Sequence, residues 1–253
     1  MAVSTAAVID HNNIMIQTAS NIVFCFDYIT GKEIWVYHSL PGVGIERGSS
    51  PLVHGPYFIT GFTNGDFSVI DKHNGLLQWN DSLSHQISIF GSDIIHVAAK
   101  PIISGKYIYA VGLGENLSAY ELRTGKILWT QKIGSAHDLL ENGPNLYVLD
   151  SKGRVIILTK ATGTILAIYD IASQLNHPQN FSNMLVVNDH IMLTTIQKRK
   201  PIFEKVSPVA AFLNPKTGAL SKIINLPTQV KEITLIKNKI LLLTDKKVYA
   251  LSH

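Results

Sequence analysis

One phrase recurs along this chain, and it limits the fold more than any other feature. Its fullest copy is Ala119-Tyr120-Glu121-Leu122-Arg123-Thr124-Gly125-Lys126-Ile127-Leu128-Trp129. It reads as a strand, a tight turn at Thr-Gly, and a second strand ending on Trp. The same phrase runs over residues 26–35 and 70–79, with weaker copies over 158–167 and 213–222. The marking glycines are Gly31, Gly75, Gly125, Gly163 and Gly218, spaced by 44, 50, 38 and 55 residues. A strand-rich unit of this length is the signature of a β-propeller blade. One four-stranded blade cannot bury both of its faces alone, so neighbours must stack.

Each position in the phrase has a physical reason. The turn needs one residue with positive φ, which Gly adopts without steric cost. Thr or Asn before it bonds the turn's own backbone. The three Trp of the chain, Trp35, Trp79 and Trp129, each stand four residues past a marking glycine. On an outer strand such a ring covers the seam between blades. A cofactor-stacking role is the rival for these rings, but a position that repeats with the blade points to packing.

The expected fold is all-β: a propeller of about six four-stranded blades in a single domain over 1–253, not necessarily closed. The first blade takes strands at 6–9, 14–17, 22–27 and 33–37, and the second at 50–53, 57–61, 67–71 and 76–79. A longer link over 81–96 precedes the third blade, at 98–103, 107–111, 117–121 and 127–131. The fourth takes 136–141, 145–149, 155–159 and 165–169, and the fifth 184–187, 190–196, 209–214 and 220–224. The sixth, at 232–236, 239–244 and 247–251, has three strands.

Composition excludes several classes. Hydrophobic residues make up 46% and charged residues 16%, which suits a packed globule and not a disordered chain. A net charge of +4 over 253 residues does not argue for nucleic acid. Cys25 is the one cysteine, so an intrachain disulfide and a Cys-based zinc site are both excluded; its strand context predicts a buried, inert thiol. No apolar run approaches the length of a transmembrane helix. The first ten residues lack a basic segment followed by a long apolar one, so they do not read as a signal peptide or lipobox.

No motif for catalysis emerges. There is no nucleophile elbow and no P-loop. Gly112-Leu113-Gly114 joins two strands, not a strand and a helix, and reads as a turn. The ten histidines form no metal-binding pair at helical spacing. Lys198, Arg199 and Lys200 form the densest positive cluster and read as a solvated hairpin tip in the fifth blade. The Thr-Gly tips are more informative. Tyr28 and Ile29, and Leu122 and Arg123, put bulky apolar groups where water is expected, the second pair beside a cation. Exposed apolar groups next to Arg are the composition of a protein-binding hot spot. The alternative is an apolar tip folded onto the adjacent blade.

The repeat resembles the PQQ-type pattern acid-x-x-T-G-x-x-x-W, and within that superfamily the chain is most similar to the BamB family. Glu46-Arg47-Gly48-Ser49-Ser50-Pro51 resembles that family's R-G-x-S-x-P entry to a blade. Leu117 through Gly125 resembles its L-T-A-L-D-L-R-S-G, and 133–138 and 146–150 follow in the same order. The likeness runs over the whole chain and is strongest from 46 to 159. It implies a non-catalytic scaffold without cofactor or metal at the periplasmic face of the outer membrane. The implied partner is a BamA-like subunit, with unfolded outer-membrane protein clients in second place. Leu122 and Arg123 match the family's L-x-L-R docking element, and Tyr120 replaces its first Leu. The family has eight blades, a signal peptide and a lipidated cysteine, so this chain is expected to lack the first two blades. A quinone-dependent dehydrogenase is the rival branch; it would require a vicinal disulfide, which a lone cysteine excludes. A generic propeller interaction module is the third reading.

Overall fold

The computed structural model describes residues 3, 5, 7–40, 50–62, 64–82, 99–111, 116–133, 136–175, 180–196, 207–236 and 239–252. The described residues form six sheets, and the first five carry the phrase. They are β1 (Val8–Asp10), β2 (Asn13–Gln17), β3 (Ile22–Asp27) and β4 (Glu33–His38); then β5 (Leu52–His54), β6 (Tyr57–Gly61), β7 (Asp66–Asp71) and β8 (Leu77–Ser82). The third holds β9 (Ile102–Ser104), β10 (Tyr107–Val111), β11 (Asn116–Glu121) and β12 (Ile127–Lys132). The fourth holds β13 (Ala136–Asn142), β14 (Asn145–Asp150), β15 (Arg154–Thr159) and β16 (Ile165–Asp170). The fifth holds β17 (Asn180–Val187), β18 (His190–Ile196), β19 (Val209–Leu213) and β20 (Leu220–Asn225). The sixth holds β21 (Glu232–Ile236), β22 (Lys239–Leu243) and β23 (Val248–Ser252).

Within every sheet each strand pairs with its neighbour in sequence. The last sheet has three strands, as its sequence leads one to expect. Among the described residues one short 3-10 turn, Ala172–Gln174, is the sole helical element. None of the described helices is long and apolar enough to cross a membrane. The expected boundaries shift most at first strands. β5 and β9 begin directly after Pro51 and Pro101, because proline has no N–H to give to a ladder. The 83–98 link, Glu46 to Ser49, Gly112 to Gly114 and the Lys198–Lys200 cluster lie outside the described residues.

The chain divides into two compact units, Met1–Ala136 and His137–His253. In the first unit the core lies between sheets. Met15, Val23, Cys25 and Trp35 of the first sheet meet Phe58, Phe62 and Ile70 of the second. Ile59, Phe67 and Val69 of the second meet Ile108, Ala110, Tyr120 and Leu122 of the third. A polar link also bridges the first two sheets: buried Thr60 donates to the Gln17 Oε1, and Gln17 Nε2 donates to the Gly61 carbonyl at 3.0 Å. Cys25 is fully buried, and burial pushes its thiol up to about 11. The expected inert cysteine is what the fold contains.

In the second unit, Tyr147, Leu149, Val155 and Ile157 of the fourth sheet pack on Met184, Ile191, Leu193 and Leu213 of the fifth. Val187, Met192 and Ala210 of the fifth pack on Ile240 and Leu242 of the sixth. The fourth and fifth sheets also share a carboxylate. Asp138 Oδ2 accepts the Met184 N–H at 2.6 Å, and its Oδ1 accepts the Leu139 N–H at 2.9 Å. Burial pushes the Asp138 carboxyl up to about 6, and the two amides pull it partway back.

The folded protein therefore holds a proton on Asp138 that the unfolded chain releases nearer pH 4. That contribution to stability is complete below the unfolded value and is lost as pH rises through about 6. Asp138→Asn keeps an acceptor and never ionises. Between pH 3.5 and pH 7.5 the stability difference should move by roughly 2–3 kcal/mol in favour of the Asn variant. Urea unfolding at the two pH values measures it; a difference independent of pH would contradict the burial argument.

Candidate functional site: the Thr-Gly hairpin tips

The five tips share one backbone turn. Gly31, Gly75, Gly125, Gly163 and Gly218 each donate their N–H to the carbonyl four residues back, at 2.8–2.9 Å. All five have φ between 68° and 74°, the left-handed region the sequence called for. Polar side chains brace the turn from inside. Asp27 Oδ1 accepts the Ile29 and Thr30 N–H groups at 3.1 and 2.8 Å and the Thr30 hydroxyl at 2.9 Å. Those bonds, the Thr30 amide first, hold the Asp27 carboxyl below its usual range. At the third tip, Thr124 Oγ1 donates to Glu121 at 2.7 Å and accepts the Lys126 N–H at 3.2 Å.

After each tip the outer strand carries a bulge. In the first three sheets the register slips so that Trp35 faces Cys25, Trp79 faces Val69 and Trp129 faces Ala119. The same slip occurs between Ile157 and Leu158 and between Phe212 and Leu213. A bulge re-aims the residues that follow it. Here it turns the Trp35 and Trp79 side chains toward the next sheet. The bulge was not read from the sequence, although consecutive apolar residues such as Ile127-Leu128 before Trp129 break the two-residue period and signal it.

The aimed indoles reach the next tip. Trp35 Nε1 donates to the Lys72 carbonyl at 2.9 Å, and Trp79 Nε1 donates to the Leu122 carbonyl at 2.8 Å. Each ring lies against the marking glycine of that tip. A Cβ on Gly75 would fall 2.8 Å from Trp35 Cε3, and one on Gly125 would fall 2.6 Å from Trp79 Cδ2. These glycines are thus required twice, for φ and for close approach. In the second unit, Tyr169 of β16 takes over this duty from two residues beyond the usual place. Its ring crowds Gly218 and its hydroxyl donates to the Pro215 carbonyl at 3.2 Å.

The proposed binding residues separate into two groups. Of the two readings of the Leu122 tip, exposed or folded onto the adjacent sheet, the structure has the folded one, with Leu122 7% exposed; Tyr120, which stands in for the first Leu of the resembled docking element, is 0% exposed. Tyr120 lies on a central strand, with its ring 5.3 Å from that of Trp79 and its hydroxyl donating to Asp81 at 2.7 Å. Burial pushes its phenol up. Leu122 folds onto the Ile59, Phe67 and Ile108 cluster, held by its own N–H on the Lys106 carbonyl at 2.9 Å. Arg123 is exposed, as are Tyr28 at 55% and Ile29 at 68%. With Lys32, His73 and Lys126, all exposed, the tips of the first unit present apolar and basic groups. Among the described residues no group of three or more His, Cys, Asp or Glu is placed to hold a metal.

The profile of the family described as outer membrane protein assembly factor BamB matches residues 2–169, well over half of the chain. The chain belongs to the BamB family. BamB of Shewanella oneidensis is 29% identical over 185 residues, which is 70% of this chain and 46% of that protein. BamB of Escherichia coli K12 is 27% identical over 153 residues, 59% of this chain and 39% of that protein. The chain spans about half the length of the curated relatives it matches. The crystal structure of BamB from Moraxella catarrhalis superposes with a TM-score of 0.81 over 99% of this chain and 72% of that one, at 18% identity. The computationally designed Ika8 protein superposes at 0.70 and 12% identity, over 100% of this chain and 71% of that one. The fold is that of the BamB β-propeller. The family profile ends at 169, so the likeness read over the whole sequence is carried beyond that point by the fold.

The seam geometry gives a ranking of substitutions. Gly31→Ala meets no atom within 4 Å and should cost only the left-handed strain, about 1–2 kcal/mol. Gly125→Ala adds a collision with Trp79 and should cost about 1–3 kcal/mol more. Equilibrium urea unfolding compares the two, and equal costs would refute the close-approach role of Gly125.

Proposed function

We propose that this chain is a non-catalytic scaffold in the assembly of outer-membrane β-barrel proteins, acting at the periplasmic face of the outer membrane. Its partner is a BamA-like subunit, bound by the tips of the first unit. The carrying observation is the contrast at the third tip. Arg123 stands in solvent directly after a residue locked into the core. Leu122 is held by its own N–H, by the indole on its carbonyl and by the side chains around it. A cation on so fixed a base loses little entropy when it meets a carboxylate. Tyr28 and Ile29 supply apolar area on the same unit.

Family membership supports this reading, since the relatives are named as assembly factors. The outer strands add a second feature. Ile34, Leu76, Leu77, Ile127 and Leu128 are all more than 40% exposed, on or beside strands that end their sheets. An exposed apolar edge strand can pair with another extended chain. That property suits contact with unfolded barrel clients.

Arg123→Glu should weaken capture of a BamA-like partner at least tenfold while leaving the unfolding midpoint in place. Leu122→Ala should act differently, lowering stability by about 2–4 kcal/mol because it empties a core position. Quantitative pull-down alongside denaturation separates the two. Undiminished capture by Arg123→Glu would remove the third tip from the interface.

A further inference from the structure

At one end of the second and third sheets, two kinds of turn lie side by side. The Lys72 N–H meets the Pro56 carbonyl and the Leu122 N–H meets the Lys106 carbonyl, each at 2.9 Å. The first hairpin of each sheet therefore stands against its Thr-Gly tip. The Trp79 bond to Leu122 brings the strand after the second tip up to the third tip, so the two ends form one rim. This rim carries exposed cations at Lys106 and Lys126 and exposed imidazoles at His54 and His73. Neither lysine has a carboxylate partner among the described residues. The rim's own acids are engaged inside the turns: Asp71 accepts the His73 N–H at 2.8 Å, and Glu121 accepts the Thr124 hydroxyl at 2.7 Å. Directly behind the tips, Leu76, Leu77, Ile127 and Leu128 face water, with Leu76 63% exposed. The turn at the other end of the second sheet carries Asn64 and Asp66 instead.

We infer that this rim rests on the surface of an anionic phospholipid bilayer. Its composition selects that occupant. Cations without acidic neighbours draw it to phosphate head groups. The leucines and isoleucine beside them enter the boundary between head groups and acyl chains. Lysine is depleted from interfaces between proteins. At a bilayer its long stem keeps the ammonium at head-group level while the shorter apolar side chains go deeper. Arg123 is left out of the set, because the protein contact proposed above uses it. The inference goes beyond the assembly role and does not depend on it.

The full chain is mixed with vesicles of phosphatidylethanolamine and phosphatidylglycerol, or of phosphatidylcholine alone, and the bound fraction is read after flotation. It should bind the anionic vesicles about tenfold more tightly than the neutral ones, with the difference shrinking as salt is raised. Lys106→Glu with Lys126→Glu should weaken binding to the anionic vesicles more than tenfold, at about fivefold or more for each lysine. Leu76→Ser with Leu128→Ser keeps the charge and should also weaken it, by about tenfold. Lys132→Glu makes the same change of charge at the far end of β12 and should leave binding in place. All five positions are exposed, so the unfolding midpoint should not move. No preference for anionic vesicles would overturn the inference. So would equal loss with Lys132→Glu, or indifference to the two leucine changes, since either means a basic protein adsorbing to charge. Capture of a BamA-like partner without vesicle binding would remove this inference and keep the assembly role; vesicle binding without capture would do the reverse.

Discussion

An indole pressed against a glycine holds the first three sheets of this protein in contact. The pairing is demanding. The ring needs a neighbour without a side chain, the N–H needs a carbonyl at the right place, and the strand must be bulged to aim the ring. Trp35 with Gly75 and Trp79 with Gly125 meet all three conditions. The apolar clusters between sheets supply most of the buried area, but area is non-directional. The indole fixes how one sheet is offset against the next, since a slip would part the ring from the glycine and the N–H from its acceptor.

Much of this was legible in the sequence because it repeats. The glycines, the Thr or Asn before them and the Trp four residues later gave the turn, the sheet count and the outer strand. The last sheet's three strands could be counted directly. What escaped has physical causes. The state of Leu122 stayed open because hydropathy cannot tell an apolar residue facing water from one folded back; that depends on the adjacent sheet, which supplies Phe67. Tyr169 escaped because it stands two residues past the place where Trp is usual, though on the same face of its strand. Asp138 escaped because its burial comes from a strand more than forty residues away.

The candidate interface follows from the same construction. Along Tyr120, Leu122 and Arg123, side chains alternate until the strand ends and then turn outward. The motif that resembles a docking element is therefore mostly internal support, with Arg123 as its exposed end. The apolar pairs on the outer strands have a comparable origin. Beside the bulge before Trp129, Ile127 and Leu128 face water.

The acceptor at each filled tip is a main-chain oxygen, and its owner is Lys72 in one place, Leu122 in another and Pro215 in a third. A contact made to the peptide group does not inspect what hangs from it. Mutation can therefore rewrite the amino acids between the acid and the glycine without loosening the joint beneath them. The joint between sheets and the exposed chemistry of each tip therefore reside in different atoms of the same few residues, so the side chains at a tip can change while the joint is kept.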